Sequence, residues 1–277
     1  MKHRYTLPRT IDDGRIDYLL KVIHAAKTAG TGKLEIELEW SKTSAISPAG
    51  HALLSCLFDA MVEQRIHVVS KNVPQKISVL PVVANMMNIA SFKSLPEPKA
   101  NNFEDRTMLI RGSAGAIDGL LAERLNEIFS SKIPGDLLYS SLLIMNELMQ
   151  NSADHSSSER YYAYAGLWNN EFHAGLLDMG VSIPAKLEQK YECQNDIGYL
   201  ELAMEDGTST RRQRTGGLGL HYFFDLLKEN EGKLTILSRR AQIRRYFKTR
   251  RSQKGMLKYP LIGTWCFARF ALHGGKK

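Results

Sequence analysis

Glu147, Asn151 and Asp154 have the residue types and the spacing to do chemistry together. They lie in the segment NELMQNSADHS (146–156), where steps of four and three residues return a side chain to one side of a helix. Polar side chains that project as one row from a helix could line an active site. The opposite side carries apolar residues, Leu138, Leu142, Met145, Met149 and Ala153. Alone, the row also fits a solvated helix face.

Two later segments combine glycine with polar residues. DMGVSIP (178–184) places Asp178 two residues before Gly180, directly after the apolar strand candidate EFHAGLLD (171–178). RQRTGGLGLHYF (212–223) places a glycine cluster before an amphipathic helix, whose first N–H groups suit phosphate oxygens. Each segment alone also fits an ordinary loop.

Taken in this order, the segments resemble the GHKL, or Bergerat-fold, ATP-binding superfamily. NELMQNSADH is similar to its N box (Glu-x-x-x-Asn), DMGVSIP to its Asp-x-Gly box, and GGLGL to its second glycine box. GTWCFARFAL (263–272) is similar to the Gly-Thr-x-Phe strand that closes this domain. The resemblance covers about residues 110–273, and it implies ATP and Mg²⁺ as ligands.

The resemblance also implies roles for single residues. Asn151 would coordinate Mg²⁺, and Glu147 would orient or deprotonate a water molecule. Asp178 would accept a hydrogen bond from the adenine amino group, Gly180 would let the chain pass close to the base, and Thr264 would support adenine. The phosphate loop would be lined by Gly216, Gly217, Leu218, Gly219 and Leu220.

The tail Asn-x-x-Asp-His (151–155) is similar to that of small anti-sigma-factor serine kinases, and Asp154 is included among the nucleotide-binding candidates. His155 is interpreted as a helix-end residue. An arginine of the cluster 211–214 either reaches the phosphates or is a solvated loop charge.

The first 95 residues predict a small α/β domain, because strand candidates (33–40 and 66–70) alternate with helix candidates (50–65 and 77–92). WSKTSAISPAGHALL resembles a STAS-type domain, whose phosphorylatable serine would fall at Ala49, with Ser47 nearby. The proline-containing stretch 96–109 is predicted to be a linker.

Residues 110–277 predict an α+β two-layer sandwich, with helices on one face of a mixed sheet, as in the Bergerat fold. Two helices (near 115–131 and 135–154) precede the strands 161–168 and 171–178, which the dipeptide Asn169–Asn170 joins as a tight hairpin. A helix near 196–205, another after the glycine cluster, and the strands 233–239 and 264–272 complete it.

The charge of the chain is concentrated in one place. The net charge is +8, and the segment 239–258 contains nine Lys or Arg and no Asp or Glu, so the rest carries 8 − 9 = −1. This segment predicts contact with nucleic acid or another acidic partner, or else a solvated basic hairpin. Three scattered cysteines and the absence of an apolar span or leader favour a cytoplasmic protein without membrane contact.

Three functions stay open from the sequence. The first is an ATP-binding protein of a bacterial regulatory or defence-type system, which uses Mg-ATP as substrate of a slow ATPase or as a switch. The second is an anti-sigma-like Ser/Thr protein kinase, and the third is a non-enzymatic module that binds nucleotide or nucleic acid. A conventional histidine kinase is excluded, because neither His24 nor His51 has the acidic neighbour of a phospho-acceptor. An unidentified protein partner and a homodimer also stay open.

Overall fold

The structure is a computed structural model that describes residues 2–28, 35–88, 100–103, 107–112, 119–155, 160–205 and 219–272. It is a mixed α and β protein with one large antiparallel sheet and two small parallel ones. No helix in these ranges is both long and apolar enough to span a membrane.

The first region forms a parallel sheet with helical connections. Its elements are β1 (Lys2–Thr6), β2 (Thr10–Ile11), a 3₁₀ turn (Asp13–Arg15), α1 (Ile16–Thr28), β3 (Glu35–Glu39), β4 (Ala45–Ile46), α2 (Pro48–Glu63), β5 (His67–Lys71), α3 (Gln75–Ser78) and α4 (Pro81–Asn88). The strand order is β1-β3-β5, and β2 pairs with β4. The α/β alternation predicted from β3 onwards is confirmed, whereas β1 and α1 were missed.

Helix α2 shows why this region does not stand apart. Ser47 caps it, since its Oγ accepts a hydrogen bond from Gly50 N at 3.1 Å, and Pro48 suits the first helical turn. Of its 16 residues, 14 are buried. A helix that is buried nearly all round needs a covering surface on both sides.

The second surface is the large sheet. Its elements are β6 (Ala100–Phe103), β7 (Thr107–Gly112), α5 (Leu121–Phe129), α6 (Gly135–His155), β8 (Tyr161–Trp168), β9 (Glu171–Asp178), α7 (Ile183–Leu187), α8 (Asp196–Ala203), α9 (Gly219–Glu229), β10 (Lys233–Ser238), β11 (Ala241–Tyr246), β12 (Arg251–Met256) and β13 (Thr264–Ala271). The strand order is β12-β11-β10-β13-β9-β8-β7-β6.

This sheet differs from the predicted mixed sheet, because all seven of its strand pairs are antiparallel. Tight hairpins explain much of this, since a two-residue turn can join only antiparallel neighbours. The predicted turn at Asn169–Asn170 is confirmed, with φ of 50° and 59°.

Both faces of the large sheet are covered, because the first region adds a further layer to the predicted layer of helices on one face. Helices α5, α6 and α9 pack on one face over a core that includes Phe129, Met145 and Phe223. On the other face, α2 lies against β7, β8 and β9. Its side chains join Tyr162, Trp265 and others in one continuous buried cluster with the first region.

The stretch predicted as a linker, 96–109, belongs partly to the sheet. It contains β6 and the first residues of β7, which pair with each other, and β7 pairs with β8. The polar residues and two prolines of this stretch are typical of a linker, so its composition did not reveal the strands. The division of the chain into domains at this stretch stays a prediction.

Candidate functional site

The candidate site lies where three strands of the large sheet end or begin side by side. Asp178 is the last residue of β9, and the register places it between Tyr161 of β8 and Thr264 of β13. Its carboxylate Oδ1 accepts hydrogen bonds from Ser152 Oγ and from Gly180 N, each at 3.1 Å. The side chain is therefore fixed by α6 on one side and by its own turn on the other.

Gly263 holds two segments of this site against each other. Its φ is +77°, a conformation that side-chain-bearing residues rarely adopt. A Cβ atom at this position would lie 2.0 Å from Asp178 O and 2.8 Å from Gly180 N. Only glycine lets the chain before β13 pass this close to the Asp-x-Gly turn.

Ser238 connects the neighbouring strand ends. Its Oγ lies 2.9 Å from Thr264 Oγ1 and 3.0 Å from Gly263 O, and it accepts a hydrogen bond from Ile183 N at 2.9 Å. A hydroxyl has one proton. Because Ser238 donates that proton to Gly263 O, the Thr264 hydroxyl is the donor in their contact. The buried Ser238 thus fixes the rotamer of Thr264.

The C-terminal half of α6 supplies the other polar residues. Asn151 Nδ2 donates a hydrogen bond to Glu147 Oε1 at 3.2 Å, and both residues are half-buried. The predicted row of Glu147 and Asn151 is therefore present on one face of the helix. Of Asp154, which was predicted to belong to the same row, only the backbone is described, within α6.

Helix α6 is oriented by its neighbours, because it packs on β9 and between α5 and α9. The side buried in the core carries Ser141, Ile144, Leu148 and Ser152 with their neighbours. This stripe is rotated from the predicted apolar side, since Leu138 and Leu142 are only half-buried. The rotation brings Ser152 under the end of β9.

The second glycine box is described only in part. Gly216, Gly217 and Leu218, like the arginine cluster 211–214, lie outside the described residues. Gly219 and Leu220 are the first two residues of α9, and α9 packs against α6. The structure therefore brings Asp178, Gly180 and Thr264 together, with Glu147 and Asn151 on the helix that Ser152 ties to them.

Ser152, Ser238 and Gly263 were not among the predicted site residues. Ser152 directly follows Asn151, and Gly263 directly precedes Thr264, so each is next to a predicted site residue in the sequence. Ser238 ends the strand candidate KLTILSR, which gives no sign of its partners. Its contacts depend on the pairing of β10 with β13.

The first region reaches the back of this site. Met179, within the Asp-x-Gly turn, has its Sδ 3.5 Å from the Cys56 thiol of α2. Nearby, Asp59 of α2 pairs with Arg111 Nε at 2.8 Å and Arg160 Nη1 at 3.3 Å, and Tyr162 donates a hydrogen bond to it. Burial nevertheless raises the pKa of Asp59, against the opposing effect of the two arginines. This network anchors α2 behind the turn.

The two positions that the STAS resemblance singled out, Ser47 and Ala49, are not at the surface. Ser47 is fully buried, and its Oγ accepts a hydrogen bond from Gly50 N as the N-cap of α2. Ala49 is buried within α2. His51 is also buried, which lowers its pKa to about 4. Access of a kinase to Ser47 would require α2 to separate from its surroundings.

The donor chemistry of the site fits magnesium. Among the described residues, no group of three or more His, Cys, Asp or Glu could hold a metal ion by itself. Mg²⁺ keeps several waters and commonly takes one or two protein oxygens together with phosphate oxygens. The amide oxygen of Asn151, one helical turn from the Glu147 carboxylate, is a donor of the type that Mg²⁺ accepts.

Comparison with known proteins leaves the site to be interpreted from its own geometry. No protein-family model, no curated protein and no solved structure matches this chain. The resemblance to the GHKL superfamily therefore rests on the four sequence motifs alone.

Proposed function

We propose that this protein binds ATP together with Mg²⁺ at the edge of the large sheet, with the second half of the chain acting as a Bergerat-fold nucleotide-binding unit. One observation carries the proposal. Three motifs that lie far apart in sequence meet at Asp178: the N-box helix through Ser152, the Asp-x-Gly turn through Gly180, and the closing strand through Gly263 and Thr264.

Asp178 supports the choice of adenine. Two donors hold its Oδ1, so the orientation of the carboxylate is set before a ligand arrives. A carboxylate accepts a hydrogen bond from the exocyclic amine of adenine, whereas guanine presents a carbonyl oxygen at that position. The site is therefore expected to prefer ATP to GTP.

Glu147 and Asn151 support the phosphate end. Asn151 would offer its amide oxygen to Mg²⁺, which neutralises phosphate charge when bound. Glu147 would orient a water molecule toward the terminal phosphate. The N–H groups at the start of α9, at Gly219 and Leu220, together with the loop from Gly216, would receive phosphate oxygens.

The proposal is tested by thermal unfolding of the full chain with Mg-ATP and with Mg-GTP. A ligand at 100 times its dissociation constant adds about 2.7 kcal/mol to the free energy of unfolding. We expect a rise in Tm with Mg-ATP that is larger than the rise with Mg-GTP. The absence of any rise at saturating Mg-ATP, together with no bound nucleotide by calorimetry, would reject the proposal.

A variant of Glu147 tests whether the bound ATP loses its terminal phosphate. Glu147→Gln keeps the shape of the side chain but removes its charge, so it is expected to retain the rise in Tm and to lose phosphate release. Labelled ATP distinguishes release of phosphate to water from transfer to a Ser or Thr of a protein. If Glu147→Gln releases phosphate at the wild-type rate, Glu147 takes no part in the reaction.

A further inference from the structure

The basic segment forms the hairpin β11–β12 at one edge of the large sheet. The opposite edge is β6. The proposed ATP site assigns it no role. Its nine Lys or Arg occur without any Asp or Glu between 239 and 258, and they account for the whole positive net charge. β12 is exposed along nearly its whole length.

The two faces of this hairpin differ. Ala241 and Ile243 are buried on the face where α8 packs. The alternation of a strand puts Gln242, Arg244 and Tyr246 on the opposite face, where they are partly exposed.

The cross-strand register completes this opposite face. Arg244 pairs with Gln253, and Tyr246 pairs with Arg251, so the residues of each pair project on the same side. Tyr246, which is partly exposed, is thus opposite Arg251 and two residues along β11 from Arg244, and Gln242 and Gln253 project on the same face. We call this surface the Arg244–Arg251 face, composed of Gln242, Arg244, Tyr246, Arg251 and Gln253.

Several cations of the segment already have acidic partners. Arg239 contacts Asp196 at 2.5 Å and Glu188 at 2.7 Å, Lys254 pairs with Glu201, and Lys248 lies 3.7 Å from Glu231. Arg245 stacks over Phe224, at 4.8 Å from the ring centroid.

Arg244 and Arg251 differ from these cations. Within the described part of the chain, neither of them forms an ion pair. Their charge therefore stays available on the Arg244–Arg251 face.

We infer that the Arg244–Arg251 face binds single-stranded nucleic acid. Guanidinium groups contact phosphates, and the Tyr246 ring offers a base a stacking surface. The amides of Gln242 and Gln253 can donate to and accept from a base edge.

The composition of this face favours a nucleic acid over an acidic peptide. A ring and two amides in the same patch are groups that a base uses, whereas a row of carboxylates needs cations only. The bases of a duplex are stacked against one another inside the helix, so they cannot reach Tyr246. This excludes base stacking in a duplex and favours the single strand.

The test measures the anisotropy of a labelled single-stranded DNA of about 20 nucleotides, longer than typical single-domain footprints, with the full chain at several salt concentrations. The logarithm of the affinity should fall linearly with the logarithm of salt, by about 0.7 per phosphate contacted. The variant Arg244→Gln/Arg251→Gln should reduce the magnitude of this slope by about 1.4, since two contacts are lost.

A matched control removes the same charge elsewhere. Lys42 and Lys76 are exposed residues of the first region, so Lys42→Gln/Lys76→Gln is expected to leave the slope unchanged. Tyr246→Leu should weaken binding by roughly five- to 150-fold without a change of slope, because only stacking is lost, whereas Tyr246→Phe should bind like the wild type. Thermal unfolding checks that each variant is folded.

Four results would overturn the inference. The first is no binding by the wild type at low salt, a result that needs no variant. The second is an equal loss in the Lys42/Lys76 control, which would mean a diffuse charge effect. The third is tighter binding of the matching duplex. The fourth is full displacement of the DNA by polyglutamate at equal charge, which would identify an acidic-protein surface instead.

Discussion

The two ends of strand β9 each carry a carboxylate, and the two ends differ in how that carboxylate is held. At the first end, Glu171 lies 2.5 Å from Lys233 Nζ, 3.4 Å from His173 Nε2 and 4.0 Å from Arg269 Nη1. Interaction with His173 and Lys233 lowers the pKa of Glu171 to about 2, although burial opposes the change. At the other end, Asp178 receives a hydroxyl and a backbone amide.

The difference separates a structural carboxylate from a candidate binding carboxylate. Cations around Glu171 neutralise it and join β9, β10 and β13, and Arg269 extends the network to Asp13. At Asp178, the hydrogen bonds from Ser152 Oγ and Gly180 N fix the direction of the carboxylate. The charge of Asp178 also acts on Cys266, because it adds to the effect of burial that raises the pKa of the Cys266 thiol.

The largest expected difference is in nucleotide binding. Asp178→Asn should abolish the rise in Tm with Mg-ATP, which is worth about 2.7 kcal/mol at 100 times the dissociation constant. Glu171→Gln, the matched change at the other end, should lower the Tm of the free protein and keep the rise. If both variants lose the rise equally, the two ends do not differ in function.

Gly263 tests whether the Asp178 end depends on close backbone approach. Gly263→Ala places a Cβ atom 2.0 Å from Asp178 O and strains a φ of +77°, so we expect a loss of about 2 kcal/mol in the free energy of unfolding. Gly255→Ala is the control, because nothing lies within 4 Å of its Cβ position. Urea unfolding measures both. Equal stabilities would show that the turn relaxes freely.

The pH dependence of the free energy of unfolding tests the structural role of Glu171. Its pKa is lowered in the folded state from 4.5 to about 2, so its contribution is fully present above pH 4.5 and is lost as the pH falls toward 2. Partial exposure reduces that contribution to about 1 to 2 kcal/mol. Glu171→Gln should therefore be less stable than the wild type at pH 6, with the gap closing toward pH 2. Urea unfolding at several pH values measures the gap, and a constant gap would contradict this.

The smallest expected effect concerns the support of Asp178. Ser152→Ala removes the side-chain donor to Asp178 Oδ1 and keeps the Gly180 N donor, so it should weaken Mg-ATP binding roughly fivefold, the equivalent of about 1 kcal/mol. Ser141→Ala is the control on the same helix, since its hydroxyl donates only to Leu137 O in the hydrogen bonds of the structure. Calorimetric titration compares them. Equal affinities of the two variants would mean that Ser152 does not position Asp178.

Local rules predicted the middle of the chain well. β8 and β9 have the predicted bounds, because two strongly apolar runs are joined by Asn169–Asn170, residues that tolerate positive φ. The polar row on α6 was also predictable, since Glu147 and Asn151 are neighbours at a spacing of four. Such contacts are set by helical and turn geometry alone.

Pairing between distant segments was not predictable. β1 has the charged sequence KHRYT, and it forms a strand because β3 lies beside it. β11 and β12 lie in the basic segment, for which a basic hairpin was one of two alternatives, but only the pairing of β11 with β10 makes them the edge of the sheet. The burial of α2 between two sheets could not be read from α2 itself.

The sequence by itself determined which residues have the chemistry of the site, because residue type and helical spacing depend only on local order. It also determined where the positive charge is concentrated. Only the tertiary structure decided that Ser152 meets Asp178, that Ser238 fixes Thr264, and that Arg244, Tyr246 and Arg251 share one face. Strand register and the rotation of a packed helix are set by the whole core, and residues far apart in the chain settle them together.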